Sequence, residues 1–224
     1  MKKIFSQLVI LMAVVQNPVT GRTRGKFASA IFSKQFGKNT MRSKPIEVKN
    51  PKSIGQLTQR AMFNVVLAFA QIVLLTVRVG WKNAASGMSA YNAFFKHAIL
   101  NAVSGSYPDF AIDFSKIVVA SGSLLGFLSP LWSSPAGHKI MFAWTDNSDQ
   151  GNASAEDILF VCLINTTNGN TLQISTDKKR NDEEYTSPEF GETNDKCQCY
   201  AFFVDAVTGN VSDSIYSGEI TLVA

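Results

Sequence analysis

From Phe110 to the carboxy terminus, apolar residues fall into short runs divided by polar turns. The stretch before it repeats at helical spacing, and that switch dictates how the chain must be layered. IDFSKIVVAS, HKIMFAWTD, DILFVCLINTT, TLQIST, CQCYAFFVDA and SIYSGEITLV follow one another at roughly even intervals. NSDQGNASAE, NGN, a long acidic stretch over residues 177–196 and VTGNVSD separate them. Such runs are too short for helices and read as strands.

Upstream, NPKSIGQLTQR opens a helix: Pro51 follows Asn50 in a turn, and Ser53 with Gln56 forms a capping box. Ile54, Leu57, Ala61, Met62, Val65, Phe69, Ile72 and Leu75 or Thr76 then recur at helical spacing, predicting a helix to about Val79. AMFNVVLAFAQIVLLTV is free of charge, but Asn64, Gln71 and Thr76 interrupt it and Arg78 follows, so it reads as a buried core helix, not a membrane span. Ser89 caps a second helix whose buried side is Tyr91, Phe94, Phe95, Ala98 and Ala102, closed by Gly105. His97 lies mid-helix, where a surface or core-edge histidine is expected. Residues 18–45 read as a β-hairpin, with Phe27, Ser29, Ile31 and Ser33 alternating against Ala28, Ala30 and Phe32, and Gly37 and Asn39 in the turn before Pro45 ends the return strand.

The predicted fold class is therefore α+β: a basic hairpin plus two-helix module over residues 1–121, a linker over 122–137, and an all-β immunoglobulin-like sandwich over 138–224. Trp144 and Phe202 or Phe203 are expected in the core of the second module.

Charge divides the chain as sharply. Residues 1–60 carry twelve Lys and Arg against Glu47 alone, while residues 145–224 carry four against fourteen acids. Within residues 22–45, Arg22, Arg24, Lys26, Lys34, Lys38, Arg42 and Lys44 meet no acid at all, which predicts an exposed surface for a polyanion or an acidic subunit. Glu183, Glu184 and Glu189, in the acidic stretch, are its expected counterparts on an adjacent copy. Phe27, Phe32 and Phe36 could stack on bases, although their alternation is that of core residues.

Cys162, Cys197 and Cys199 cannot all pair, and CQC lacks further ligands at zinc-finger spacing, so buried strand thiols are expected. No nucleophile elbow, HExxH pair or phosphate-cradling glycine loop occurs, and with two histidines in the chain no enzyme, cofactor, metal or small-molecule substrate is expected. Asp146, Ser148, Gln150, Gly151 and Asp157 fall at the spacing of an EF-hand calcium loop, but Ser and Gln are poor ligands and the terminal glutamate is missing. MKKIFSQLVILMAVVQNP begins like a secretory signal without an A-x-A cleavage site, and MAVVQNP from Met12 reads as a first strand.

NPVTGRTRGK, MRSKP, NPKSIGQLTQR and MSAYNAFFKH, which carry the patterns NPxxGxxxGK, RSxP, NPKSxxQxxxR and SAYNxF, together with FSKIVVASGSL and WTDNSDQGNASAED, resemble an uncharacterised family of domains of unknown function common in Bacteroidota genomes and seen in phage-like contexts. The resemblance runs from about Val14 through nearly the whole chain. It implies a basic amino-terminal module and a carboxy-terminal sandwich but no activity. The expected function is that of a non-enzymatic structural or assembly protein of a phage or phage-derived virion, capsid-associated, connector or tail, with itself or other virion proteins as partners. A non-specific nucleic-acid-binding accessory protein and a secreted adhesion module are the alternatives. The location follows: virion or host cytoplasm, or secreted if residues 1–13 act as a signal.

Overall fold

The computed structural model describes residues 13–14, 25–27, 29–35, 37–47 and 50–224. The chain divides into two compact units, Met1–Lys52 and Ser53–Ala224.

The first unit is a four-stranded antiparallel sheet of β1 (Ala13–Val14), β2 (Gly25–Phe27), β3 (Ala30–Gln35) and β4 (Lys38–Ser43), in the order β1-β4-β3-β2. β3 and β4 form the expected hairpin, from Ala30 against Ser43 to Gln35 against Lys38. Gly37 supplies the positive φ, +81°, that a two-residue turn between strands requires. KFASAIFS is not one strand, however: it doubles back so that Lys26 registers with Ile31 and residue 27 with Ala30. The strict alternation expected across Phe27–Ser33 is thereby broken.

The second unit begins with α1 (Ile54–Ile72), α2 (Leu74–Gly80) and α3 (Ala90–Asn101). Ser53 and Ser89 cap α1 and α3, their hydroxyls accepting from the N–H of Gln56 and Asn92. The helix predicted to reach Val79 is two helices bent by 85° around Val73. At the bend sits Gln173, on a strand described below: its Nε2 donates to Ile72 O at 2.6 Å while its Oε1 accepts from Thr76 N and Thr76 Oγ1, both at 3.0 Å. One side-chain amide satisfies a carbonyl ending α1 and an N–H opening α2, groups an uninterrupted helix would have paired internally. Among the described residues no single helix is long and apolar enough to cross a membrane; α1 and α2 together have the length and composition but are bent.

After α3 come the hairpin β5 (Val103–Ser106) and β6 (Asp109–Ile112), and then β7 (Leu128–Ser133), β8 (Met141–Thr145), β9 (Ile158–Asn165), β10 (Thr171–Lys179), β11 (Glu184–Thr186), β12 (Lys196–Val204) and β13 (Ile215–Thr221). Gly105 sits in the β5–β6 hairpin, not at the end of α3, and IDFSKIVVAS is divided between β6 and a 3-10 turn at Phe114–Lys116. The seven later strands form two antiparallel sheets, β10-β9-β12-β13 and β11-β8-β7.

β9 and β12 are buried on both faces. Leu159, Val161, Leu163, Cys199, Ala201 and Phe203 turn toward the three-stranded sheet and pack with Phe142 and Trp144. Phe160, Cys162, Ile164, Tyr200 and Phe202 alternate with them and pack beneath Val66, Phe69, Val77 and Phe94 of the helices. That double burial is why ILFVCLI and CYAFFV read as continuous apolar runs where a sheet with one wet face would show polar residues at every second position. Phe203 shares the core of Trp144, their rings 5.8 Å apart, whereas Phe202 lies on the helix side and stacks on Phe160.

The unit is thus three layers, helices on sheet on sheet, and the described residues are mostly β with three helices. The expected partition into 1–121, 122–137 and 138–224 is corrected accordingly: the helices share a core with β9 and β12, and the compact boundary falls at Lys52. Residues 122–137 are no linker. They include β7, bury Leu124, and tie into the fold through Gly122 N to Asp213 Oδ1 and Leu124 N to Val211 O. Gly122 approaches the Val211 carbonyl so closely that a Cβ there would lie 2.0 Å from the oxygen.

Candidate functional site

Of the seven predicted basic residues, Arg22 and Arg24 lie outside the described residues. Lys26, Lys34, Lys38, Arg42 and Lys44 are all exposed, and none makes an ion pair among the described residues. Strand register sorts them. Lys26, Ile31 and Arg42 are direct cross-strand neighbours, so they share one face, and alternation along β4 adds Thr40 and Lys38 to it. Ser33 and Thr40 are hydroxyl-bonded to each other there at 2.5 Å. Lys38 and Arg42 are four residues apart, about 13 Å along the strand. Lys34, opposite Asn39, belongs to the other face with Phe32 and Met41, and Lys44 lies just past β4, its N–H bonded to Ser29 O. The structure therefore places three of the cations on one face with two hydroxyls and puts the other two elsewhere.

The acidic stretch expected to be one loop holds the end of β10, a 3-10 turn at Arg180–Asp182, and β11. Glu183, Glu184 and Glu189 are exposed but not equivalent. Glu183 adopts a left-handed conformation at φ 60°, accepts Trp144 N on its carbonyl and Asp146 N on its carboxylate. Glu189 lies 3.5 Å from His138 Nδ1. Glu184, heading β11, makes no ion pair among the described residues.

The residue that sequence reasoning missed is Arg180. It is fully buried, and its guanidinium is enclosed: Nε donates to Asp157 Oδ2 at 3.0 Å, one terminal nitrogen donates to Asn147 Oδ1 and Gly126 O, and the other donates to Leu125 O. Its carbon sits 3.9 Å above the Phe203 ring, and its backbone carbonyl accepts the Trp144 indole N–H at 2.7 Å. Burial pulls the guanidinium pKa down and Asp157 pushes it back up, and the group stays charged. The loop with calcium-like spacing is thereby explained. Asp157 and Asn147 hold a guanidinium, and Asp146 accepts from the N–H and hydroxyl of Ser148 in its own turn. Nothing in the string KKRND distinguished Arg180 from its charged neighbours; the usable signal was an acid closing a polar loop directly before a strand buried on both faces.

The three thiols are buried and unpaired with one another. Burial pushes Cys162 up to about 12 and Cys197 up to about 11, and raises Cys199 as well, so none is a thiolate at neutral pH. Among the described residues no group of three or more His, Cys, Asp and Glu is placed to hold a metal ion. Among the clefts of the second unit are a polar one of about 530 Å3 between Asn168, Thr171, Glu189, Phe190 and Glu192, and a more apolar one of about 340 Å3 beside Trp81 and His97.

These features define a mostly β, two-sheet sandwich carrying a helical layer, together with a separate basic sheet. The chain belongs to the family of unknown function DUF6266, whose model matches residues 22–218. Among solved structures, it is similar to the fibronectin type III domain of human collagen alpha-1(XX) chain, at 11% identity and a TM-score of 0.35, over 47% of this chain and 92% of that one. No curated protein matches.

Proposed function

We propose that this protein is a non-enzymatic structural or assembly protein that grips an anionic partner through its amino-terminal sheet, as a component of a phage-derived particle, a reading supported by the resemblance of its motifs to a family seen in phage-like contexts. The observation that carries this reading is the exposed set of Lys26, Lys38 and Arg42 on one face, unpaired among the described residues and held on strands by a continuous backbone ladder. Cations left without partners on a fixed surface are poised for an external anion. In a particle, an adjacent copy supplies one: Glu184, with Glu183 and Glu189 beside it in sequence, lies on a second unit read as an immunoglobulin-like sandwich. Head-to-tail contacts between unlike surfaces generate rings or tubes.

Light scattering coupled to size exclusion tests this. Assembly should form at low salt and weaken as salt rises, because the screening length shrinks to about 8 Å at physiological ionic strength. Reversing Lys38 and Arg42 to Glu should abolish it, and Glu184→Lys should restore part of it. Glu183 is the poorer choice for rescue because its carboxylate holds Asp146 N. A protein that stays monomeric at high concentration under all these conditions overturns the self-assembly reading.

The second reading, a non-specific nucleic-acid-binding protein, is favoured by Ser33 and Thr40 lying between the cations, since hydroxyls and cations together are the usual contacts to phosphate.

A further inference from the structure

The cleft of about 340 Å3 in the second unit plays no part in the reading above. Its innermost wall is Trp81, 7% exposed, and Leu100, 72% exposed, stands at its rim, with Met88 completing an apolar lining. The Trp81 indole N–H is already committed to Val118 O at 3.0 Å, so the indole offers the cleft carbon surface only. The His97 ring lies 5.4 Å from Trp81 and also lines the cleft. Its Nδ1 is buried without a hydrogen-bond partner among the described residues. A buried N–H lacking an acceptor is the rarer state, so the proton of the neutral ring belongs on Nε2. Lys96, the neighbouring lining residue, is exposed and makes no ion pair among the described residues.

We propose that this cleft binds a small organic carboxylate with a flat apolar body. The ring lies against Trp81 between Met88 and Leu100, and the carboxylate accepts hydrogen bonds from Lys96 Nζ and His97 Nε2. The volume falls at the small end of ligand sites, room for one or two rings. Other chemistries match it less well. A neutral hydrocarbon leaves the imidazole and ammonium donors unanswered, an amine is repelled by Lys96, and inorganic phosphate covers none of the indole. The contact is one of binding, and no bond is made or broken.

The test is a titration of the full 15N-labelled chain with benzoate, followed by two-dimensional NMR. The Trp81 indole cross-peak should move in a saturable way, while those of Trp132 and Trp144, which pack in the core between the two sheets, stay in place. Benzyl alcohol and benzylamine should bind at least about tenfold more weakly, the scale of one lost charge-assisted hydrogen bond. Lys96→Met, at an exposed position, should weaken benzoate by about tenfold, and His97→Leu by a similar factor, whereas His97→Gln, which keeps a donor, should retain most of the affinity. Should His97→Leu fail to fold, Lys96→Met and the ligand series still decide. A Trp81 cross-peak that does not move, benzyl alcohol binding as well as benzoate, or undiminished binding by Lys96→Met would each overturn the proposal.

Discussion

Arg42 and Arg180 are the same residue in opposite circumstances. Arg42 is exposed on β4 beside Ile31 and Lys26, with no ion pair among the described residues. Arg180 is fully buried, its donors divided among Asp157, Asn147, Gly126 and Leu125. The second unit neutralises charge locally even at its surface, pairing Lys179 with Glu156, Lys196 with Glu219 and Lys116 with Asp113. In those pairs and in Arg180 a basic residue of the second unit serves the fold, whereas Lys26, Lys38 and Arg42 of the first make no ion pair among the described residues. Net charge along the chain shows where the cations lie, and only the pairing shows which are available.

The largest expected effect is at the buried pair. Arg180→Met should cost about 3–5 kcal/mol in urea unfolding, because Asp157 is left charged and buried, while Arg42→Met should change stability by less than about 0.5 kcal/mol. Replacing both partners, Arg180→Met with Asp157→Leu, should recover much of the loss. Equal costs for Arg180→Met and Arg42→Met would erase the distinction between the two.

Next come the two faces of the central sheet. Leu163→Ala on the inter-sheet side and Phe202→Ala on the helix side should each cost about 2–5 kcal/mol and shift one common unfolding transition, since β9 and β12 belong to both cores. Separate transitions for helices and strands would revive the division near residue 121.

A smaller loss, about 1–3 kcal/mol, is expected for Gln173→Ala, which strands Ile72 O and Thr76 N at the helix bend. Fluorescence-monitored urea melts measure it, and an unchanged midpoint would mean that the bend is held by packing alone.

The smallest effect is in pH. Asp195 is held below the usual carboxylate range, chiefly by the backbone N–H of Glu192 and then by the Asn165 amide. A carboxylate depressed in the folded state contributes stability that is fully present above its unfolded value, about 4, and is lost as pH falls from there through the folded value. Asp195→Asn should therefore flatten the acid limb of the stability curve and leave the limb near neutrality parallel to that of the parent.

How much of this could be read from the chain depends on what each signal reports. Ser53 and Ser89 were legible as caps because capping is local, and the hairpin turn at Gly37 was legible for the same reason. The strand runs were legible too, but ILFVCLI and CYAFFV were assigned to a sandwich with two layers when their unbroken apolarity already signalled a third covering face. The bend at Val73 was not legible, since the side chain that satisfies its open backbone groups, Gln173, lies about a hundred residues away. Arg180 was hidden for a similar reason: its four side-chain acceptors come from three separate segments, Leu125–Gly126, Asn147 and Asp157, and composition counted it among the bases of a solvated loop. At the candidate site the exposure of Lys26, Lys38 and Arg42 matches their composition, yet the sorting of Lys34 to the opposite face follows from register, which the reversal between β2 and β3 sets.

The central claim, that Lys26, Lys38 and Arg42 of the first unit are free for an outside anion while Lys179 and Lys196 of the second are committed to ion pairs, is tested most directly by binding to a short labelled DNA duplex at several salt concentrations. The full chain should bind without sequence preference, with log affinity falling by on the order of one unit per log of salt for each phosphate contact. Lys26→Gln, Lys38→Gln and Arg42→Gln combined should lower that slope by about two to three units, and Lys179→Gln with Lys196→Gln should leave it unchanged. Absence of binding at low salt, or a slope that responds to Lys179 and Lys196 but not to the β2 and β4 cations, would contradict the account.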